Sequence, residues 1–351
     1  VPGFSYQNAI GNESLKPERQ VGKEIGVELG FLQDRINFDF TVYSNLTKDE
    51  ILYVPTPSST GFSSRVINAG NVKNTGFETR LNVTPIKKKG MRWDIFATYT
   101  RNKNEVVSLP GGVDQIVLGG YTGMSIVAAV GKPFGTFYAI DLLKDAAGHQ
   151  VIDSATGAPR STTAPKYLGS FQPKFIASWG SSFNYHGLSL SFLFDTKQGG
   201  YLYSRTKDIL EFCGVTPSTT LNNRQPFLWN NSVYQASNGE YVTNTNILTD
   251  VYNYYTAANV KPAGQDLIKG GYIKLREVAL GYKLPQKWFS HTFVGSGTFS
   301  IYGNNLLIWT NKGNDYVDPE VNSGGASNEQ GFDFSARPSL RNYGFRLGLT
   351  F

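Results

Sequence analysis

The stretch Arg341-Asn-Tyr-Gly-Phe-Arg-Leu-Gly-Leu-Thr-Phe351 sets the reading of the whole chain. From Tyr343 onward every second side chain is apolar: Tyr343, Phe345, Leu347, Leu349 and Phe351. Between them lie Gly344, Arg346, Gly348 and Thr350, all small or polar. A strand turns successive side chains to opposite faces, so this one has an oily face and a wet face. A soluble sandwich strand alternates in the same way. The stretch alone therefore leaves two solvents open for its oily face, a packed partner sheet or lipid.

Recurrence upstream chooses between them. Val21, Ile25, Val27, Leu29 and Phe31 alternate with Gly22, Glu24, Gly26, Glu28 and Gly30, with Lys23 a blemish on the oily face. A turn at Gln33-Asp34-Arg35 leads into Ile36, Phe38, Phe40 and Val42, which predicts a hairpin. Phe77, Leu81 and Val83 mark a third strand. Met91, Trp93, Ile95, Ala97 and Tyr99 mark a fourth, after a short turn at Pro85–Gly90. Phe175, Ala177, Trp179, Phe183 and Tyr185 form the next oily face, interrupted by Ser181. The dipeptide His186-Gly187 then turns the chain into Leu188, Leu190, Phe192 and Phe194. Ile273 and Leu275 are in phase with each other but one residue out of phase with Val278, Leu280 and Tyr282, which predicts a bulge near Arg276-Glu277. Phe299 and Ile301 mark the penultimate strand. Nine strands are expected, or eleven if residues 101–172 hide a hairpin around Phe134–Leu143.

The connections carry as much information. Short turns (33–35, 85–90, 186–187, about 285–296) alternate with long connections (about 50–70, 101–172, 199–269, 309–340). A membrane barrel with short periplasmic turns and long extracellular loops has this rhythm, whereas a sandwich has no reason to sort its loop lengths by parity. Glu24, Glu28, Asp39, Glu78, Arg80, Arg92, Asp94 and Arg346 all fall on the wet face, where a dry core would not tolerate them. The fold class expected is all-β, an antiparallel transmembrane β-barrel.

Composition agrees. Of 351 residues 17% are charged, below the ~25% usual in soluble domains, while 23 Phe, 20 Tyr and 38 Gly favour strands and turns. No run approaches the ~18 apolar residues of a membrane helix, but barrel strands need only ~9–11 with every second one apolar. The net charge of +6 is modest, and clusters such as Lys87-Lys88-Lys89 before Gly90 read as turn residues. No basic stripe points to nucleic acid. Cys213 is the single cysteine, so no disulfide, zinc cluster or CxxC pair can form within the chain. No catalytic constellation appears, and no cofactor is expected. The spacing of Asp315, Asp318 and Glu320 lacks the Gly and closing Glu of an EF-hand loop, so the segment reads as a plain loop. Val1 opens in polar sequence with no signal peptide, as expected of a fragment.

Several motifs then resemble one family in order along the chain. Asn12–Glu18 resembles an N-x-x-L-K-P-E element, and Val66–Glu78 resembles an N-x-G-x-x-x-N-x-G-x-E strand entry. Val130–Tyr138 resembles G-x-P-x-G-x-F-Y, and Tyr272–Pro285 resembles Y-x-(K/R)-L-R-x-V-x-L-G-Y-x-L-P. Gly303–Leu306, Asp318–Val321 and the final aromatic strand complete the pattern. The chain is similar to the C-terminal part of SusC-like (SusC/RagA) TonB-dependent outer-membrane transporters of Bacteroidota. That resemblance implies a ~22-stranded plugged barrel, with residues 1–351 forming its C-terminal portion. The plug, the TonB box and the first barrel strands would lie outside the chain. It also implies active import of a glycan, or secondarily a peptide. The partners implied are a SusD-like surface lipoprotein as lid, the TonB complex and outer-membrane lipid. Phe351 would be an assembly signal. A passive porin or autotransporter barrel, and a soluble β-rich glycan-binding module, are the alternatives.

Within 199–269 aromatic residues are dense. Trp229, Tyr234, Tyr241, Tyr252, Tyr254 and Tyr255, with Asp315 and Tyr316 from the next loop, are the candidate contacts to ligand or lid. Packing of the loop on itself is the alternative role for each. Trp93, Trp179 and Tyr185 are expected as aromatic anchors at the membrane interfaces.

Overall fold

The computed structural model describes residues 8–121, 123–256, 261–325 and 327–351. Its main element is a nine-stranded sheet. The strands are β1 (Arg19–Phe31), β2 (Ile36–Lys48), β3 (Asn71–Lys88), β4 (Met91–Ser108), β5 (Phe175–Tyr185), β6 (Leu188–Gln198), β7 (Tyr272–Lys283), β8 (Ser296–Thr310) and β9 (Asn342–Thr350). Sheet order follows chain order and every neighbouring pair is antiparallel, leaving β1 and β9 as open edges.

The register lines up the alternation of all nine strands. One row runs Phe31, Ile36, Val83, Ile95, Ser181, Phe192, Val278, Gly303, Tyr343. The next row, on the opposite face, runs Gly30, Asn37, Asn82, Phe96, Gly180, Leu193, Glu277, Asn304, Asn342. A further wet row places Glu28, Asp39 and Arg80 side by side. A one-residue slip in any strand would put its oily set on the wet side, so the two faces fix the register.

Both blemishes on the oily face have local explanations. The Ser181 hydroxyl accepts from Trp93 Nε1 at 2.8 Å and donates to the Asp94 carbonyl at 3.2 Å, so no polar group is left bare toward lipid. Lys23 sits opposite Ser44 and Thr75 in a row that is already polar, toward the long-loop end. The expected bulge is present: register shifts between Leu275 and Glu277, with Arg276 as the extra residue. β8 answers with Asn305 and Leu306, Asn305 standing at φ 52°. β3 runs further than its Pro85 suggests. A shift between Val83 and Ile86 absorbs the proline, and the turn shrinks to Lys89-Gly90.

The segregation of connections holds. Residues 32–35, 89–90, 186–187 and 284–295 join strands at one end, and 49–70, 109–174, 199–271 and 311–341 join them at the other. Residues 101–172 do contain a hairpin, Met124–Ala129 with Thr136–Ala139. It belongs to a separate four-stranded sheet with Gln115–Tyr121 and Lys166–Ser170. The wall therefore has nine strands and not eleven. Trp179 is a second correction, for it lies in the middle of β5, stacked on Phe194 at 5.3 Å, and not at a rim. Tyr185 does end its strand at the short-turn rim.

Candidate functional site at the long-loop end

The long connections are ordered by one another. Leu52, Val54, Met124, Ile126, Phe137, Tyr203 and Phe332 come from four different connections and share one buried core. Two motif elements are clamped beneath it. The Asn68 carboxamide accepts from Lys16 N at 2.9 Å and donates to Lys16 O at 2.9 Å, closing the Asn12–Glu18 segment onto the strand entry. Its amide also reaches Asp49 O at 2.8 Å. Asn71, between the motif asparagines, donates Nδ2 to Ser108 Oγ at 2.9 Å, and the second motif asparagine, Asn74, accepts at Oδ1 from Asn102 and Asn104 Nδ2 at 2.8 and 3.0 Å, so both tie β3 to β4. Asn68 therefore acts as a backbone clamp, and the other two as side-chain ties between strands.

A charged hub fastens segment 311–341 to the wet face of the wall. Lys274 on β7 is 1% exposed and its ammonium donates to Asp318 at 2.8 Å, to Ser339 Oγ at 2.9 Å, and to Glu320. Arg276, the bulge residue, grips Asp195 of β6 through two bonds of 2.6 and 2.9 Å and also binds Glu320. A two-point guanidinium–carboxylate pair fixes orientation as well as charge. Burial alone would raise the Glu320 carboxyl, but Arg276, Lys274 and the Tyr272 hydroxyl outweigh it and hold its pKa at about 2. Asp318 is likewise held low, burial being overcome by Lys274 and Ser339. Asp318 and Glu320 are therefore occupied by cations of the wall, while Asp315 stays exposed.

A second hub lies under α1 (Arg205–Phe212), whose N-terminus is capped by Ser204 Oγ accepting from Lys207 N at 3.0 Å. Lys261 lies 2.6 Å from Glu211 and 3.3 Å from Asp208, and it bonds Asp266. Burial works against the Lys261 ammonium, yet Asp266 and Glu211 leave its pKa raised. Lys207 nearby is lowered by burial, which Glu211 and Asp266 only partly offset. Ser204 Oγ also donates to the fully buried Asp333 at 2.8 Å, joining the 199–271 and 311–341 connections.

The structure sorts the sequence candidates. Trp229 packs between Phe227 (tilted, 5.2 Å) and Tyr254 (edge-on, 5.4 Å), and Tyr254 packs edge-on to Tyr255 at 4.8 Å. Tyr254, from α2 (Val251–Thr256), is 5% exposed, and burial pushes its hydroxyl well above the ordinary tyrosine range. Tyr255 donates to Ser218 O at 3.2 Å, and Tyr316 reaches Ser218 Oγ and Glu211 at 3.4 Å each. Tyr234 is half-buried in the strand Ser232–Gln235. Tyr241, Tyr252 and Asp315 are exposed. Asp315 and Tyr316 line a cleft of about 630 Å³ between β8 and 311–341, together with Lys274, Asp318, Ser339 and Arg341. Among the described residues, the buried Asn314 Nδ2 beside it has no hydrogen-bond partner, nor does Trp229 Nε1 in the aromatic cluster. Phe351 lies at the far end, stacked on Phe293 at 5.4 Å. Sequence reasoning missed Lys274, Arg276 and Asp195. The signal available was their wet-face phase beside the predicted bulge.

With this geometry in hand, the comparisons with known proteins are consistent. The family model described as TonB dependent receptor-like, beta-barrel matches residues 1–187. TonB-dependent receptor P3 of Formosa agariphila is 24% identical over 97% of this chain and 35% of its own length. TonB-dependent receptor SusC of Bacteroides thetaiotaomicron is 26% identical over 97% of this chain and 32% of its own. The chain thus spans about a third of the length of the curated relatives it matches. The solved RagAB peptide transporter superposes with a TM-score of 0.71 at 21% identity, covering 97% of this chain and 36% of that one, a likeness of fold. An antiparallel wall with one apolar and one polar face, short turns at one end and ordered loops at the other, is therefore outer-membrane architecture, and the chain belongs to the TonB-dependent receptor-like β-barrel family.

Proposed function

We propose that this chain forms the C-terminal wall and outer loops of a transporter that imports a bulky nutrient, energised through TonB. The ligand is a glycan in the first place and a peptide in the second, delivered beneath a SusD-like surface lipoprotein. The observation that carries the reading is the nine-strand wall itself, polar on its inner face and open at both edges. Lipid cannot satisfy those edges by hydrogen bonding, so the remaining strands must come from elsewhere in the full-length protein. A wide lumen lined by Glu28, Asp39, Arg80 and Asn82 is a water path unless it is plugged. Plug, TonB contact and first strands are assigned to that same remainder.

Within this chain the loops would meet ligand and lid. Tyr241, Tyr252 and Asp315, being exposed, are the contacts proposed, while Trp229, Tyr254 and Tyr255 build the platform behind them. Deletion of Trp229–Tyr241 from the full-length transporter, in cells growing on the imported nutrient, is expected to lower uptake or lid association while the barrel still assembles. Uptake and lid binding that both survive would place ligand handling elsewhere. Uptake that persists when the proton-motive force is collapsed would instead favour a passive pore.

A further inference from the structure

The tri-lysine run that reads from sequence as mere turn chemistry sits in a particular place. Lys88 ends β3 on the apolar-face row that contains Met91, Tyr185, Leu188, Tyr282, Phe299 and Leu347. Lys89 is in the two-residue turn that follows. The turns along this rim are stitched to one another. Gly90 O accepts from His186 N at 2.7 Å, and Gly187 O accepts from Lys283 N at 2.7 Å. Lys88, Lys89 and Lys287 are exposed along this rim, while Lys87 and Lys283, equally exposed, fall on the lumen-face rows of Arg92 and Thr298. None of the five makes an ion pair with a described residue, whereas the buried lysines of the long-loop end, Lys207, Lys261 and Lys274, all do.

Beside the arc the 284–295 connection exposes Trp288 (61%) and Phe293 (82%), the latter stacked on Phe351. Aromatic rings of this kind settle at the headgroup level of a bilayer, one side apolar and one wet. A lysine at that depth keeps its stem along the apolar surface and lifts its ammonium to the phosphates.

We infer that the short-turn rim is a binding surface for anionic glycerophospholipid headgroups of the periplasmic leaflet, with Lys88, Lys89 and Lys287 as the phosphate contacts and Trp288 and Phe293 as the depth anchor. The surface is independent of what the barrel imports and needs only the membrane setting. Each lysine near such a surface strengthens anionic-lipid binding about fivefold, so the three together supply roughly a hundredfold.

The test uses the full-length transporter in neutral detergent, offered equal phosphatidylglycerol and phosphatidylcholine, with retained lipid read by native mass spectrometry. Wild type is expected to retain phosphatidylglycerol in large excess. Lys88→Gln/Lys89→Gln/Lys287→Gln should lose that excess, Lys88→Arg/Lys89→Arg/Lys287→Arg should keep it, and Lys144→Gln/Lys312→Gln at the other end should leave it unchanged. No phosphatidylglycerol excess on wild type, an excess that survives the glutamine triple, or equal loss in the Lys144/Lys312 variant would each overturn the assignment. All five lysines changed are exposed, and heat-modifiable migration of each variant confirms a folded barrel before lipid is counted.

Discussion

The wall and the loop end treat the same residue types in opposite ways. Ile25 on the wall is 77% exposed and Phe345 74%, while Ile126, Phe137 and Phe332 among the loops are fully buried. Charge inverts in parallel. Lys274, Asp333 and Asp266 are buried at the loop end, and the wall's Glu28, Asp39 and Arg80 form a row facing the lumen. Each region is built for the solvent it meets. On the wall the oily face needs no protein partner because lipid supplies it, and between the open edges of β1 and β9 the ladder pairs the backbone within the sheet. The loops stand in water and must build an ordinary core, closing their charges in pairs.

The largest expected effect lies where the two regions join. Lys274→Met leaves the buried Asp318 without its cation and Glu320 with Arg276 alone. Breaking such a pair from one side costs roughly 3–5 kcal/mol, and hydrogen exchange across 311–341 should rise sharply. Exchange unchanged from wild type would mean that the buried loop core alone holds this segment. On the wall, Val278→Arg places a charge on the row that crosses all nine strands, near mid-depth, where roughly 2–4 kcal/mol is expected from unfolding in lipid vesicles. Leu349, opposite Gly297 beside the short-turn rim, should tolerate arginine far better, at about 0–1 kcal/mol. Equal costs at the two sites would break the depth assignment.

Acid should act on the loops and spare the wall. Asp318 and Glu320 are held below the ordinary carboxylate range, so the docking they supply is complete above that range. It fades as pH falls through it toward about 2. The effect should be smaller than that of removing Lys274, since Glu320 is partly solvated and screened. Proteolysis of 311–341 that is insensitive to pH across this window would refute it. The smallest effect is expected for Ser182→Arg on the wet face, directly opposite Asp94. A change within about 0.5 kcal/mol is predicted, against the large cost at Val278 only a few residues away in the register.

The same contrast explains what could be read in advance. The alternation of β1 through β9, the Arg276 bulge and the parity of loop lengths are local patterns, each written within one short stretch. The loop end is not written that way. Its strands are as short as Gln150–Ile152 and pair in parallel with Ser232–Gln235 from another connection. Its hubs join Ser204 to Asp333 and Lys274 to Ser339 across long separations. Periodicity carries no trace of such pairings, so the hairpin inside 101–172 could be suspected but not kept out of the wall. The aromatic loop shows the same limit. Composition marked Trp229, Tyr252 and Tyr254 alike, and only the fold separates the buried Tyr254 from the exposed Tyr252.

The two faces of the wall meet two solvents, and β7 is where that shows most directly. Spin labels placed singly at Val278, Ala279, Leu280 and Gly281 of the full-length transporter in bilayers, with Cys213 replaced, should alternate in relaxation. Residues 278 and 280 should respond to oxygen dissolved in lipid, and 279 and 281 to a water-soluble nickel chelate. Four labels with the same response, or the opposite alternation, would contradict the barrel orientation on which everything else rests.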